Sequence, residues 1–585
     1  MQLYGGDRPF LVTFLDRGEP LILRHPQDHI LIQDALLDTG QEYRAWNTKF
    51  DLAGLRQAGY TLPDESLWHD GMVQAHIMDE RRPVALAARH QLLFGGERDE
   101  TEAQLKTWLE GERRARRKDS KASGDRYVSP NYSDVPDEIM TPYAASDVVM
   151  QRQIGDVYGP AIEQNEDFRE LYDLERRVLR ALFWMEDRGV PVDRPALVAL
   201  EGSLLTQLDA AEQSVQRIVQ FDNFNVRSPA QIGEALDRLE ADTRFMTRSG
   251  STQNLKVDEE NLSACDHPLA EAVLAYRGVH KLWAMVRRML HGDAGDDLFP
   301  AAYLTGEDRL HPNYRQVGAR TGRMSCSNPN FQQVHRDDLR LRYCIQASPG
   351  KRLVCVDLDQ IEAVLLGAFA GEGAFLEAIL RGDDVHALTA QRVGLRGRKR
   401  STGAVEAPRD QGKRFNYMMI YGGGVRALRK WFGVSQEEAK NMMDRFHSAY
   451  PEVTNLQNRI EFTLEDRGYI KSPWGRRFRV ERNAERESYK FLNYLIQGSA
   501  ADIFKVGTAR CHEAGIPLVA AVHDELIAEV DEADAEEAGR VMVEALTDHE
   551  RVTRKVPITA EAKIVERWSD AKTKGDGPHF EPDKV

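Results

Sequence analysis

Apolar and polar positions follow two periods along this chain, and the changes of period mark its parts. Over residues 1–165, short apolar runs (LVTFL at 11–15, PLILRH at 20–25) alternate with helix-period stretches, which predicts a small α/β domain. Between residues 167 and 193, YDLERRVLRALFWMEDRG repeats its apolar residues at helical spacing and stops at Gly189 before Val190-Pro191, predicting a long amphipathic helix. Residues 195–300 are dominated by the helical period, with Ser228 placed to cap a helix that Pro229 starts. Strands then return. RLVCVD predicts a buried strand delivering Asp357, and LVAAVHDELIAEV at 518–530 predicts a β-hairpin with His523-Asp524-Glu525 at its tip. Between them, PRDQGKRFNYMMIYGGG predicts a helix begun by Pro408 and stopped by Gly422-Gly423-Gly424. DEADAEEAGRVMVEAL predicts an acidic amphipathic helix on the outside, VPITAEAKIVERW a closing strand, and Thr573–Val585 a polar tail. No internal repeat is present.

At 585 residues the chain exceeds one hydrophobic core, so two to four domains are expected. With 42% hydrophobic and 29% charged residues it has the make-up of an ordinary soluble globular protein. No uncharged apolar run is long enough to predict a transmembrane helix, and MQLYGGDRPF lacks the basic and apolar regions of a secretion signal. Cys265, Cys326, Cys344, Cys355 and Cys511 form no CxxC pair and read as reduced, mostly buried thiols of a cytoplasmic protein. The net charge of −15 argues weakly against a nucleic-acid partner, but its distribution argues the other way. Residues 391–430 hold eleven Lys and Arg against Glu406 and Asp410, a +9 segment in an acidic chain where a polyanion site is expected.

The hairpin tip has no purely structural use for adjacent acids, because like charges repel. A divalent cation resolves the repulsion, and Asp357 at a strand end supplies the further carboxylate such a site needs. Asp359 reads as a solvated neighbour. On the 408–424 helix, Arg409, Lys413, Tyr417 and Tyr421 recur every four residues, about 6 Å apart along the axis with a drift of roughly 40° per step. The first three therefore form one stripe. Two cations followed by an aromatic ring match a triphosphate followed by a sugar and base. Arg323 heads the polar turn TGRMS, followed by NPNFQ, and suits a groove. Asn493 and Gln497, four apart in YKFLNYLIQGSAADI, suit the minor-groove acceptors common to all base pairs. In the amino-terminal part, Asn47-x-x-Phe50-Asp51 opens a helix, and Tyr143-x-x-x-Asp147 puts a phenol and a carboxylate on one helical face. The basic run at 112–121 reads as a solvated helix end or loop rather than a DNA contact.

Taken together these segments resemble the family A DNA polymerases of the bacterial DNA polymerase I type. DLDQIE at 357–362 is similar to motif A of that family, the RxxxKxxxYxxxYG pattern at 409–422 to motif B, and VHDE at 522–525 to motif C. TGRMS…NPNFQ, DVHALTA, NYLIQGSAAD and AEAKIVERW follow in the family's order, so the resemblance spans roughly 166–572. It implies an α+β multidomain chain: a right-hand polymerase of palm, fingers and thumb, preceded by an RNase H-like 3′–5′ exonuclease-type α/β domain. The implied parts are 1–165 exonuclease-like, 166–300 thumb, 301–371 palm with motif A, 372–498 fingers, and 499–585 palm with motif C.

The resemblance further implies template-directed addition of dNTPs to a primer 3′-hydroxyl with two Mg²⁺ ions, Mn²⁺ being an alternative. Asp357, Asp524 and the Leu358 carbonyl would hold the metals, with Glu525 an auxiliary acid. Arg409 and Lys413 would clamp the triphosphate, Lys413 also protonating pyrophosphate. Glu362 would crowd the sugar 2′ position, and Gln360, His386 and Tyr417 would line the nucleotide pocket. Tyr417 is the version of its position associated with accepting dideoxynucleotides. Tyr421 would stack near the templating base, while Arg323, Gln497, Asn493 and His523 would contact primer-template DNA. A monomer without membrane contact is implied, with any processivity partner left open.

Three departures qualify this. Val364 and Tyr489 (with Lys490 beside it) stand where the family has arginines, which removes or alters their phosphate or primer contacts. The exonuclease-type domain keeps Asp51, Tyr143 and Asp147 of its second and third motifs but lacks the Asp-x-Glu of the first. Asp7, or Asp16 with Glu19, has the wrong spacing, so the chain is expected to begin just past that strand and proofreading to be absent or weak. With no 5′-nuclease segment ahead of it, the layout is that expected of a bacteriophage replicative enzyme acting in the host cytoplasm. The competing readings are a single-subunit RNA polymerase, against which Glu362 and the exonuclease-like domain speak, and a non-catalytic DNA-binding protein with a polymerase fold.

Overall fold

A computed structural model describes residues 2–4, 11–16, 18–38, 42–95, 100–123, 127–221, 223–244, 246–249, 254–292, 303–334, 338–399, 405–420, 422–481, 489–553 and 556–572. At its centre is a four-stranded antiparallel sheet in the order Leu518–Val522, Glu525–Asp531, Lys351–Leu358, Ala560–Val565. Leu353–Val356 lie in the middle of the sheet and are buried, which is why this strand reads as an unbroken apolar run rather than an alternating one. The helix Ala535–Thr547 covers Lys351–Leu358 and Ala560–Val565, and Glu166–Arg188 lies against Leu518–Val522. Tyr489–Glu513 packs on both helices. The acidic helix and the closing strand thus form as the sequence predicts.

One ion-paired cluster ties these layers to one another, and a second ties them to the amino-terminal part. Arg476 donates to Glu175 at 2.5 Å and to Asp502 at 2.7 Å, Lys505 reaches Glu175 at 2.6 Å, and all four side chains are buried. Glu80 accepts from the Arg479 amide at 2.6 Å and pairs with its guanidinium, while Arg81 donates to the Val480 carbonyl at 2.6 Å.

The long amphipathic helix runs Glu166–Arg188 and ends at Gly189, whose φ of +69° suits glycine. Helices Arg194–Val219 and Pro268–His291 pack along one another, and Ser228 caps Pro229–Arg238 by accepting from the Gln231 amide. Val215, Phe224, Ile232, Leu262 and Tyr276 belong to a core of this region's own. Helices Val385–Val393, Pro408–Ile420, Val425–Phe432, Gln436–Ala449 and Pro451–Arg467 make a further helical block. The helix is described over Pro408–Ile420, and Tyr421, the last residue of the predicted four-residue spacing, lies outside the described residues.

In the amino-terminal part, Gln2–Tyr4, Leu11–Asp16 and Glu19–Arg24 form an antiparallel sheet. Tyr43–Ala45 and Trp68–Asp70 make a separate parallel pair. Gln2–Tyr4 forms a short strand next to helices Thr48–Gln57 and Asp137–Glu163, and it contains no carboxylate. Asp16 and Glu19 face each other as the last register pair of the next hairpin, while Asp7 lies outside the described residues. The basic run at 112–121 is helical throughout, within Glu100–Ser123. All five cysteines are buried and free. Among the described residues no helix is long and apolar enough to cross a membrane.

Candidate active site

The central sheet brings the two acidic segments together. Asp357 is the register partner of Glu525 on one side and of Glu561 on the other, and the Leu358 amide donates to the Asp524 carbonyl at 3.1 Å. The hairpin turn is His523-Asp524, with His523 exposed at φ 56° and Asp524 half-buried. The adjacent acids part company there. Glu525 begins a strand and is buried, taking hydrogen bonds from the Trp568 indole at 3.2 Å and Arg342 at 3.4 Å. Arg342 is itself buried, with its guanidinium 3.7 Å from the centre of the Trp568 ring. Lys572 bridges the pair, its ammonium 3.0 Å from Asp357 Oδ2 and 3.3 Å from Glu525 Oε2. The Asp357 side chain keeps 32% exposure. Asp359 points away, exposed and accepting from the Thr559 hydroxyl at 3.0 Å.

Along Pro408–Ile420, Gln411, Phe415, Asn416, Met419 and Ile420 are buried, while Arg409 and Lys413 are exposed and Tyr417 half-buried. The helix crowds Val385–Val393 so closely that a Cβ on Gly412 would lie 2.0 Å from the His386 carbonyl oxygen. That approach puts the His386 ring 6.0 Å from the Tyr417 ring, centre to centre. The Lys413 ammonium is 6.0 Å from the Tyr417 ring centre. Burial holds the His386 imidazole down to about 4, with Arg409 and Lys413 pushing the same way against Asp384. Its Nδ1 lies 3.0 Å from the Asn416 amide nitrogen, as suits a neutral ring accepting a hydrogen bond. Arg409 pairs with Asp384, which caps the Val385–Val393 helix by accepting from the His386 and Ala387 amides at 3.0 Å each.

Arg323 pairs with Glu362, the latter buried in the first turn of Ile361–Ala370. Gln360, at φ 44°, precedes that helix and is exposed. The turn carrying Arg323 is held from below: Gly322 has φ +81°, and a Cβ there would lie 2.4 Å from the Arg476 guanidinium carbon. His76 contacts the Ala319 carbonyl at 3.2 Å from the amino-terminal side. Gln497 and Asn493 are half-buried on Tyr489–Glu513, and Asn493 Oδ1 is a buried acceptor with no hydrogen-bond partner among the described residues.

In the amino-terminal part Asp51 is buried on Thr48–Gln57 and Asp147 on Asp137–Glu163. Burial raises the Tyr143 phenol far above its ordinary value, and its hydrogen bond to Asp147 adds to that. Tyr143 and Asp147 line a groove with Trp46, His90, Lys106 and Gln153. Sequence reasoning missed Lys572, Arg342 and Trp568 around Glu525, and Asp384 as the partner of Arg409. Trp568 carried a signal as the end of the AEAKIVERW segment, and Asp384 as the start of DVHALTA.

Over 97% of its length the chain superposes on the POL domain of Pol1 from M. smegmatis, whose structure is a complex with DNA primer-template and dNTP. The TM-score is 0.74 with 94% of that chain covered, at 21% sequence identity, so the likeness is one of fold. In sequence the chain is 29% identical over 556 residues to DNA polymerase I of Chloroflexus aurantiacus, covering 90% of this chain and 54% of that protein. It is 26% identical over 547 residues to the DNA polymerase of Mycobacterium phage L5, covering 90% and 84%. The chain spans about half the length of most of the bacterial relatives it matches. Residues 194–570, the stretch that holds Asp357, the 409–417 stripe and the 523–525 turn, match the family model for DNA polymerase family A, and the chain belongs to that family.

Proposed function

We propose that this chain is a template-directed DNA polymerase that joins dNTPs to a primer 3′-hydroxyl. The observation that carries the proposal is the meeting of Asp357 and the Asp524 turn on adjacent strands, tied by the Leu358–Asp524 backbone bond. Mg²⁺ is bound through one or two carboxylates plus substrate phosphates and retained waters rather than by a protein cage. Asp357, Asp524 and the Leu358 carbonyl suit that role, and Asp357 already gathers a cation in the Lys572 ammonium. Among the described residues no three His, Cys, Asp or Glu groups form a metal cage, in keeping with Glu525 being engaged by Arg342 and Trp568. Two Mg²⁺ ions (or Mn²⁺) held there would supply the charge that lowers the pKa of the primer hydroxyl and neutralises the leaving pyrophosphate.

The chain's own groups do the positioning. Arg409 offers a planar fork and Lys413 a point charge to the triphosphate, with Lys413 placed to hand a proton to pyrophosphate. The neutral His386 and the Tyr417 ring line the nucleoside end, and Gln360 borders it. Glu362, held by Arg323, limits room at the sugar 2′ position. Arg323, Gln497, Asn493 and His523 would meet the primer-template. Residues 166–300 act as thumb, 301–371 and 499–585 as palm, and 372–498 as fingers. A replicative role in a phage setting is supported by the 84% coverage of the Mycobacterium phage L5 relative.

Proofreading is absent or weak in this reading. Gln2-Leu3-Tyr4 lies beside the helices that carry Asp51 and Asp147, and it brings no acid. Primer extension on a single-primed template, with dNTPs and rNTPs in parallel, tests the polymerase reading. Extension by dNTPs alone is expected; preference for rNTPs would indicate an RNA polymerase, and tight DNA binding without extension a non-catalytic protein. Mg²⁺-dependent shortening of a mismatched 3′ end, abolished by Asp51→Ala, would overturn the proofreading claim.

A further inference from the structure

We propose that Lys572 is a built-in competitor for the divalent cation at Asp357, neutralising that carboxylate in the metal-free protein and giving way when metal binds. The inference rests on the reading of Asp357 as a cation-holding residue. Lys572 ends the short helical turn Trp568–Lys572, which is anchored through the buried Trp568 ring and the Trp568 amide bonded to the Ile345 carbonyl at 3.0 Å. From that support its ammonium reaches Asp357 at 3.0 Å and Glu525 at 3.3 Å with only 12% of the side chain exposed.

The two carboxylates differ in burial and in how firmly Arg342 and Trp568 hold them. Glu525 also accepts from Trp568 at 3.2 Å and from Arg342 at 3.4 Å, so it remains paired when the ammonium leaves. Asp357, one-third exposed, has Lys572 as the cation on its Oδ2. A flexible four-carbon stem carrying a compact charge can swing away, whereas the buried guanidinium of Arg342, stacked on Trp568, cannot. Displacing Lys572 therefore exposes the exchangeable carboxylate without stranding the buried one. Arg342 and Trp568 fix the charge that stays, and Lys572 carries the charge that moves.

Mn²⁺ titration of the full chain without DNA, followed by the electron paramagnetic resonance signal of the free ion, tests this. Lys572→Gln should bind Mn²⁺ roughly fivefold more tightly than the wild type, the scale of a partly exposed ion pair. Lys572→Arg should return toward wild-type affinity because it restores the charge, and Asp357→Asn should lose the site. Thermal unfolding of each variant with and without Mn²⁺ reports folding and gives a second measure of the affinity order. If Asp357→Asn abolishes binding while Lys572→Gln binds no more tightly than wild type, the competition is refuted and the carboxylate site stands. If Asp357→Asn binds as well as wild type, the site reading falls and the competition with it.

Discussion

Asp524 and Glu525 are neighbours in sequence and opposite in fate. The turn leaves Asp524 half-buried at the sheet edge, while Glu525, as the first strand residue, is drawn inward to Arg342 and Trp568. The repulsion argument pointed to two segments that the sheet brings side by side, because carboxylate placement is written locally. It could not find Lys572, which lies 215 residues from Asp357 in the chain, or the pairing of Arg409 with Asp384. Tyr417 is a similar case: its four-residue spacing from Lys413 was legible, its contact with His386 was not. Tyr417→Phe keeps the ring that packs on His386 and Lys413 and removes only the hydroxyl. Chain termination by dideoxynucleotides in primer extension should fall by at least about tenfold, a difference of 1.4 kcal/mol. Equal termination by the two proteins would show that the hydroxyl has no part in it.

Among the elements, the strands and helices with strong periods formed as read, while the short ones did not announce themselves. The strand Gln2–Tyr4 and the ladder of Arg398–Lys399 with Val405–Glu406 are too brief to show a period. Nor does a sequence reveal that one arginine will brace a turn from below. Arg476 joins the strand Arg477–Arg479 to helices Glu166–Arg188 and Tyr489–Glu513 through Glu175 and Asp502, and it fills the space under Gly322, next to Arg323. Against burial, Asp502 and Glu175 hold its charge on, so removing it leaves the buried Asp502 without its guanidinium and Glu175 with Lys505 as its remaining cation. Arg476→Met should cost about 3–5 kcal/mol. Denaturant unfolding should show that loss, and extension of a primed template should weaken with it through the displaced Arg323; a loss under about 1 kcal/mol would mean the cluster is dispensable.

Over the whole molecule, several buried histidines lie where its parts meet. Burial pushes His76 down to about 3, with Arg476 and Lys505 adding to it, and pushes His69 to about 3 and His549 to about 4. Each stays neutral in the folded chain but takes a proton near 6.5 once unfolded, so the unfolded state binds more protons between those values. Stability is therefore full above about pH 6.5 and falls as pH drops toward 3–4, by at most about 1.4 kcal/mol per pH unit for each histidine. A melting temperature that drops from pH 7 to pH 4.5, less steeply in His76→Gln, is the expected result; identical slopes would remove His76 from the account. The central claim, that Asp357 and Asp524 form the reacting centre, is tested most directly by primer extension and DNA binding measured together on Asp524→Ala. Extension should fall by about a thousandfold or more with primer-template affinity nearly unchanged, the mark of an interaction made in the transition state. Extension within a few-fold of wild type, or a loss fully explained by weakened DNA binding, would contradict it.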